Sequence, residues 1–389
     1  MTPQRVLISG AGIAGMGLAH WLARSNHDIT LIDRFESFHA RGHFMTLKGT
    51  CVEILSAMGL YKTLKACEWP STEFDWYTSE GRCLRRVSKT RIEETLRGFL
   101  TLRRAHLHEA LHETLPPTIA FRTGTEIDTI KDEGGRVEVV YRNGQHEAFD
   151  LVVGAEGVHS AMRQRHFPEV STRSLAGTYI VFVVDCRHDL GGSNRTTWGQ
   201  GESVSLIPLS RDRLGAMIYQ DDQHPKPPLT DDAQAWRSYL SDVYARFPVW
   251  VTGAISAMKP GDEIFADEIL MVPATTLVKG RVALLGDAGY CPTFFSGMGA
   301  AAALLGAYAL TRQLDKHDEV ATALDAYERL MVPLARGYQK AAVSGRRRTL
   351  ARGPMAQLRN LVTARIPETL GNFATRRHYQ AEVRMADLA

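Results

Sequence analysis

The sequence predicts an α/β protein in which a parallel sheet with flanking helices is joined to an antiparallel β-sheet unit and closed by a C-terminal helical segment. Three observations predict it. The chain opens as strand, glycine turn, helix and second strand within residues 5–33. From about residue 172 β-branched and aromatic runs alternate with Gly, Asn and Pro clusters, the texture of antiparallel strands. From about Glu319 the chain is basic and helical in pattern.

The elements follow in order. Residues 5–9 are a short apolar strand, Gly10 to Gly15 a glycine turn, 16–24 a helix and 28–33 a second strand. A helical pattern runs over 50–67 through Leu55, Met58 and Leu60, and another over 103–115, where Pro116-Pro117 stops it. Strands are expected at 119–123, 126–131 and 136–141, with a hairpin turn at Asn143-Gly144 and a buried strand at 151–153. In the middle region 179–185, 203–208 and 214–219 read as strands, 223–228 as a loop and 233–247 as a helix. The chain returns to a buried strand at 281–286 before an Ala-rich helix at 299–314, and no internal repeat or low-complexity tract interrupts it.

Composition narrows the function class. With 389 residues, 44% hydrophobic and 23% charged, the chain has ordinary globular character and room for more than one domain. A formal net charge of +3 is too small to suggest nucleic acid or another polyanion as the partner. Five widely spaced cysteines, odd in number and without a CxxC pair, suit a reduced cytoplasmic protein. No charged segment and long apolar run resembling a secretion signal precede residue 5. The most apolar stretch, 299–310, is about half of the roughly 20 residues that a membrane span needs. A small, apolar or aromatic ligand and a monomer or weak dimer are the expectation.

Gly10-Ala11-Gly12-Ile13-Ala14-Gly15 is GxGxxG placed between a strand and a helix, the Rossmann-like context that the motif requires. Gly10 permits the tight turn, Gly12 lets backbone approach a pyrophosphate at the helix N-terminus, and Gly15 allows close helix–strand contact. Asp33, eighteen residues beyond Gly15, ends the second strand, where a carboxylate can accept hydrogen bonds from an adenosine ribose. The turn alone does not separate NAD from FAD. A second signal does: Gly286-Asp287-Ala288 follows a buried strand, precedes Pro292, and leads to Ser296-Gly297-Met298-Gly299 at the start of the Ala-rich helix. Asp287 is placed to bind polyol hydroxyls, and the Gly297 to Gly299 N–H groups to face the negative charge of a reduced flavin ring.

Together these pieces resemble the class A FAD-dependent monooxygenases, the para-hydroxybenzoate hydroxylase-like family, over residues 4–315. Gly10 to Gly15 with Asp33-Arg34 is the first motif. Gly154-Ala155-Glu156-Gly157-Val158-His159-Ser160-Ala161-Met162-Arg163 is similar to the family's DGxxSxxR segment, which lies near FAD and the nicotinamide cofactor. Gly286-Asp287 with Pro292 and Gly297-Met298-Gly299 is the third, and Arg104-Ala105-His106-Leu107 is similar to the RxxL helix start whose arginine contacts the flavin. Gly286-Asp287-Ala288-Gly289-Tyr290-Cys291-Pro292, Gly306-Ala307-Tyr308, the 42–49 segment and the helical C-terminus are most similar to the tetracycline-inactivating monooxygenase subgroup. Four positions depart from the family pattern: Glu156 stands for Asp, Tyr290 for His, Ala301 for Asn and Gly306 for Asp.

The resemblance implies a discontinuous FAD-binding domain of residues 1–72, 96–172 and 262–318, a substrate-binding domain of 73–95 and 173–261, and C-terminal helices over 319–389. It implies FAD bound by Gly10, Gly12, Ile13, Ala14, Gly15, Asp33, Arg34, Arg41, Gly42, Met45, Arg104, Glu156, Gly157, Asp287, Pro292, Gly297, Met298, Gly299 and Ala300. The resemblance further implies that NADPH or NADH reduces the flavin, that dioxygen forms the C4a-hydroperoxide, and that an aromatic or polyketide-like substrate is hydroxylated. The cofactor carries the chemistry, so no catalytic side chain is singled out. His43, Phe44, Trp198, Tyr219, Phe294 and Phe295 are the candidates for the substrate wall, against ordinary core packing.

Competing readings remain. His108-Glu109-Ala110-Leu111-His112 is HExxH on an expected helix, the spacing of a zinc hydrolase. Yet the extended motif would need Gly and His where Leu115 and Thr118 stand, so a metal is not expected. An FAD oxidoreductase without oxygenation and a flavin-bearing binding protein share the motifs. Six arginines between Arg346 and Arg365 lie without an acidic residue among them; Leu350, Leu358, Leu361 and Val362 give that stretch an apolar face suited to packing across two domains.

Overall fold

A computed structural model describes residues 3–38, 44–96, 98–228, 230, 232–365 and 385. The opening strand Arg5–Ser9 lies inside a six-stranded sheet ordered Val278–Lys279, Val282–Leu284, Leu151–Gly154, Arg5–Ser9, Asp28–Ile32 and Ala120–Arg122. Its neighbours are parallel except at the Val278–Lys279 edge. Alternation of side chains explains why this strand is apolar throughout. Val6 and Ile8 enter the core shared with the helices Ile13–Leu22 and Gly299–Lys316, whereas Leu7 joins Tyr141 and Phe149. Those two residues belong to a three-stranded antiparallel sheet, Ile127–Asp132, Val137–Tyr141 and His146–Phe149, which covers the other face.

The middle of the chain forms a seven-stranded sheet ordered Ile264–Met271, Arg173–Asp185, Arg213–Asp221, Glu202–Ser210, Ser193–Trp198, Glu73–Thr78 and Cys83–Ser88. Its pairs are antiparallel except Ser193–Trp198 with Glu73–Thr78. The expected boundary after residue 261 cuts this sheet, because Ile264–Met271 pairs with Arg173–Asp185 from Phe182↔Ile264 to Arg173↔Met271. One face of the sheet buries Ile180, Phe182, Ala216 and Ile218 under the helices Ala233–Val243 and Val249–Ser256. The other turns Tyr179, Val181 and Ile207 toward Phe44 and Phe295.

A two-stranded ribbon, Phe44–Lys48 with Phe99–Arg103, bridges the two large sheets. Its Phe44 ring sits on Gly215, where a methyl group would overlap it. The helical pattern expected over 50–67 resolves into Thr50–Met58 and Tyr61–Ala66, since Gly59 takes a left-handed φ of 83° and ends the first.

Beyond the Gly299–Lys316 helix come Val320–Thr349 and Gly353–Arg365. They contact both large sheets. Tyr327 donates to Leu284 O of the six-stranded sheet at 3.0 Å, while Arg352 forms a bidentate pair with Asp221 of the seven-stranded sheet at 2.7 Å. Among the described residues no helix is long and apolar enough to cross a membrane.

Candidate active site

The glycine turn is fixed by backbone contacts. Gly10 has a φ of 107°, and a methyl group there would lie 2.6 Å from Ala155 O. A methyl at Gly15 would overlap the Gly10 carbonyl oxygen, so the helix can approach its strand only through glycine. Gly12 differs: nothing lies within 4 Å of where its methyl would be. That open surface faces the first turn of Ile13–Leu22, whose N-cap Gly12 supplies no side-chain bond, so the backbone N–H groups stay available to a phosphate. The residues therefore fit a dinucleotide.

Asp33 accepts from Ala11 N at 2.8 Å and from Phe35 N at 3.0 Å, so its carboxylate holds the turn in shape at the place where a ribose would sit. Arg34 lies over the Phe35 ring, its guanidinium carbon 5.1 Å from the centroid. The HExxH helix, Arg104–Glu113, packs behind this turn. His108 Nε2 is 2.7 Å from Ala11 O; since a carbonyl only accepts, Nε2 carries the proton. Phe38 stacks on His112 with centroids 4.0 Å apart. His108 thus supports the nucleotide turn directly, and His112 packs on Phe38, whose ring also lies against His108.

In the second motif Glu156 accepts from Ser9 Oγ at 2.6 Å, Ser160 Oγ at 2.9 Å and Met162 N at 2.9 Å. The added methylene, relative to Asp, lets one carboxylate join the first strand to the N-terminus of Ala161–His166. Gly157, with φ of 80°, makes the bend between them. Arg163, 1% exposed, donates to Val158 O at 2.7 Å and to Ala288 O at 3.1 Å, which ties the second motif to the third.

In the third motif Gly286 has a φ of 65°, and a methyl there would lie 2.7 Å from Ala14 Cβ. This close approach sets Asp287 beside the nucleotide helix. Burial pushes the Asp287 carboxyl up, and the Arg104 charge opposes it, which places the exposed Arg104 guanidinium within electrostatic reach of the groove. Asp287 Oδ1 is 3.9 Å from where a Gly299 methyl would be, so the acid borders the start of the Ala-rich helix. After Pro292, Thr293 has a strained φ of 66°. Its hydroxyl is buried and has no hydrogen-bond partner among the described residues. An orphaned donor in a strained loop is a further fit to a bound cofactor.

The turn at Gly297 corrects one expectation. Gly297 N donates to Phe294 O at 2.9 Å and Met298 N to Ser296 Oγ at 3.0 Å, so these two N–H groups are used inside the turn. The positive end of the helix is offered instead by Gly299 and Ala300, the first two residues of Gly299–Lys316, whose N–H groups have no intrahelical acceptor. Beside this turn lies a residue that the motifs did not reveal. Lys48, 8% exposed at the end of Phe44–Lys48, has its Nζ 3.1 Å from where a Gly297 methyl would be.

The apolar part of the site is aromatic. Tyr179 and Tyr219 are directly paired across two strands and therefore share a face. Tyr179 lies 4.2 Å from Phe294 and Tyr219 lies 5.2 Å from Phe295, centroid to centroid. Phe294 remains 44% exposed. Burial pushes both tyrosine hydroxyls well above their ordinary range, so both stay protonated. Tyr219, Phe294 and Phe295 are brought together as expected candidates, and Tyr179 completes the group. Trp198 shares their sheet face through the row Tyr219↔Ser203↔Trp198 but stands two strands away, under Arg359 at 4.9 Å. Phe44 packs edge-on to Trp69 at 5.8 Å, and Met45 is partly buried beside it. Arg41, Gly42 and His43 lie outside the described residues.

Comparison with known proteins decides the family. A family model described as "FAD binding domain" matches residues 4–341. The chain belongs to this FAD-binding family, that of the class A flavin monooxygenases. An FAD-dependent monooxygenase from Sarocladium schorii, asL6, is 27% identical over 360 residues, covering 85% of this chain and 84% of that one. A flavin-dependent monooxygenase from Legionella longbeachae is 26% identical over 315 residues, 80% of each. Among solved structures, HpxO of Klebsiella pneumoniae complexed with FAD and uric acid superposes with a TM-score of 0.85 at 22% identity over 97% of both chains. The tetracycline destructase Tet(55) gives 0.79 at 22% identity over 98% of both.

Within this FAD-binding monooxygenase two departures from the family pattern explain each other. A methyl group at Gly306 would overlap the Tyr290 hydroxyl, so the larger ring at 290 takes the room that a side chain at 306 would fill. Tyr327 donates to Leu284 O at 3.0 Å and its oxygen lies 3.4 Å from that of Tyr290, so the pair is held in the core. Ala301 is 6% exposed in the same helix and contributes packing alone.

Proposed function

We propose that this FAD-dependent monooxygenase hydroxylates a small aromatic or polycyclic, polyketide-like molecule with NADPH or NADH as reductant. The observation that carries the reading is the aromatic wall of Tyr179, Tyr219, Phe294 and Phe295 set beside the Gly297 turn. Bound FAD supplies hydride acceptance and dioxygen activation, which no side chain can provide.

The protein's own residues bind, orient and shield. The pyrophosphate would rest on the backbone of Gly10, Gly12, Ile13, Ala14 and Gly15, the adenosine ribose near Asp33 and Arg34, and the polyol against Asp287. Arg104, Pro292, Met298, Gly299 and Ala300 would border the ring, the last two with free N–H groups. Glu156 would shape the wall of this groove through its hold on Ser9 and Met162, with Gly157 forming the bend beside it. The aromatic wall excludes water and grips a flat apolar substrate by edge and face contacts.

The test is a screen of phenols, N-heteroaromatics and polyketides for compounds that accelerate NADPH or NADH consumption, followed by mass analysis. Gain of one oxygen in the compound supports hydroxylation. A dehydrogenated product, or consumption that no compound accelerates, overturns it in favour of a flavoprotein that does not oxygenate.

A further inference from the structure

We infer that Lys48 supplies a fixed positive charge to the flavin ring and sets how readily that ring accepts electrons. The inference rests on FAD occupying the groove between the Gly10 and Gly297 turns, and not on any particular substrate.

Three features converge. The Lys48 ammonium sits beside the Gly297 backbone, 3.1 Å from the position of a methyl there, and the side chain is 8% exposed. The same turn opens an 18-residue helix, whose positive pole and N–H groups at Gly299 and Ala300, without intrahelical acceptors, begin two residues beyond Gly297. Next to it the buried Thr293 hydroxyl has no partner among the described residues, so this wall carries a donor ready for a ligand.

The chemistry follows from where a flavin holds its charge. Two-electron reduction leaves a negative charge on the N1–C2=O edge of the ring. A helix pole and a buried ammonium attract that edge, and their field is strong because little water screens it. Lys48 stands on the ribbon strand, outside all three recognisable motifs, and its ammonium reaches the turn because Phe44–Lys48 pairs with Phe99–Arg103 at its side. The strand is anchored at its other end by Phe44 on Gly215, so the ammonium is held by the same element that touches the substrate sheet.

Sulfite addition reads this charge without substrate or oxygen. The sulfur lone pair forms a bond to flavin N5, and the ring electrons move to N1–C2=O, so the adduct carries the same negative charge as the reduced ring. The FAD-loaded protein and its K48M and K48R variants are titrated with sulfite at 450 nm, and their two-electron midpoint potentials are measured. K48M is expected to bind sulfite at least about tenfold more weakly and to have a lower potential; tenfold corresponds to about 30 mV for a two-electron couple. K48R is expected to stay within about threefold of the parent. K48M that matches the parent in sulfite affinity and potential overturns the inference. So does loss of FAD from both variants, which would make Lys48 a packing residue. FAD retention in K48R alone, with parental sulfite affinity, supports it. A parent protein that takes up no FAD would fail the cofactor assignment itself, a separate outcome visible before any sulfite is added.

Discussion

The nucleotide end and the proposed substrate wall are built by different means. Around Gly10 to Gly15 the decisive contacts are backbone to backbone, and residue type matters because a single methyl group fits or does not fit. Around Tyr179, Tyr219, Phe294 and Phe295 the contacts are between side chains delivered by distant strands and a short turn, and many shapes could fill the space. A site made of backbone leaves a mark in local spacing. A site made of strand register leaves none, because the partner residues are set by pairing across the sheet.

The largest expected effect separates two glycines of one turn. G15A should prevent folding or cost roughly 3 kcal/mol or more, since the added carbon overlaps Gly10 O and backbone cannot yield. G12A should keep its melting temperature, as φ is −79° and the space is open, yet bind FAD at least about tenfold more weakly because the carbon stands where pyrophosphate approaches. Thermal melting and FAD titration on both variants check this. Equal loss of fold would show that the turn acts only as packing.

Next comes the Tyr290–Gly306 pair, a side-chain fit within the nucleotide half. G306A should destabilise by about 2 kcal/mol, and Y290F in the same chain should recover part of that by removing the overlapped oxygen. Additive losses in the double-mutant cycle would show that the two departures are independent.

These cases show why the sequence was only partly legible. The three motifs were readable because Gly10, Gly157 and Gly286 each take a positive φ, a local demand for glycine, and because Gly10 and Gly286 sit in the order strand, turn, helix. The strands not read include Phe44–Lys48, Glu73–Thr78, Cys83–Ser88, Phe99–Arg103, Ser193–Trp198 and Ile264–Met271. Most are short, and segments such as Cys83–Ser88 mix charged with apolar residues that tertiary pairing alone commits to strand. Lys48 was hidden for the same reason, its role depending on that ribbon. The roles expected of Gly297 and Met298 N–H moved one step along because Ser296 and Phe294 take up those groups locally, a choice that depends on loop geometry.

On the substrate side, F294A should raise KM for an accepted substrate about tenfold, roughly 1.4 kcal/mol, with flavin content unchanged. Phe294 is the more exposed of the two phenylalanines, so its loss should spare the fold. W198A, two strands away under Arg359, should change KM less; a larger effect than F294A would move the substrate toward the C-terminal helices.

The smallest effect sets the two regions against each other through pH. At the nucleotide end burial pulls His20 down to about 4, with Arg24 adding to it, and burial also lowers His108. A folded pKa below the unfolded value of about 6.5 means that the unfolded chain binds more protons, so stability is complete above 6.5 and declines below it. Just beyond the interior strand Arg213–Asp221 of the seven-stranded sheet, His224 behaves oppositely. Burial lowers it, but hydrogen bonds and charge from Glu202 at 2.9 Å and Asp221 at 3.1 Å outweigh that, so its folded pKa is raised. Its contribution is complete below about 6.5 and is lost as pH rises through the folded value. H20M should therefore reduce the loss of stability between pH 6.5 and 5.5 by about 1 kcal/mol, and H224Q should flatten the decline above pH 6.5 while leaving the acid side unchanged. Urea melts of the parent and both variants across pH 5.5–8.5 measure this; the same pH response from both variants would deny that the two halves titrate in opposite senses.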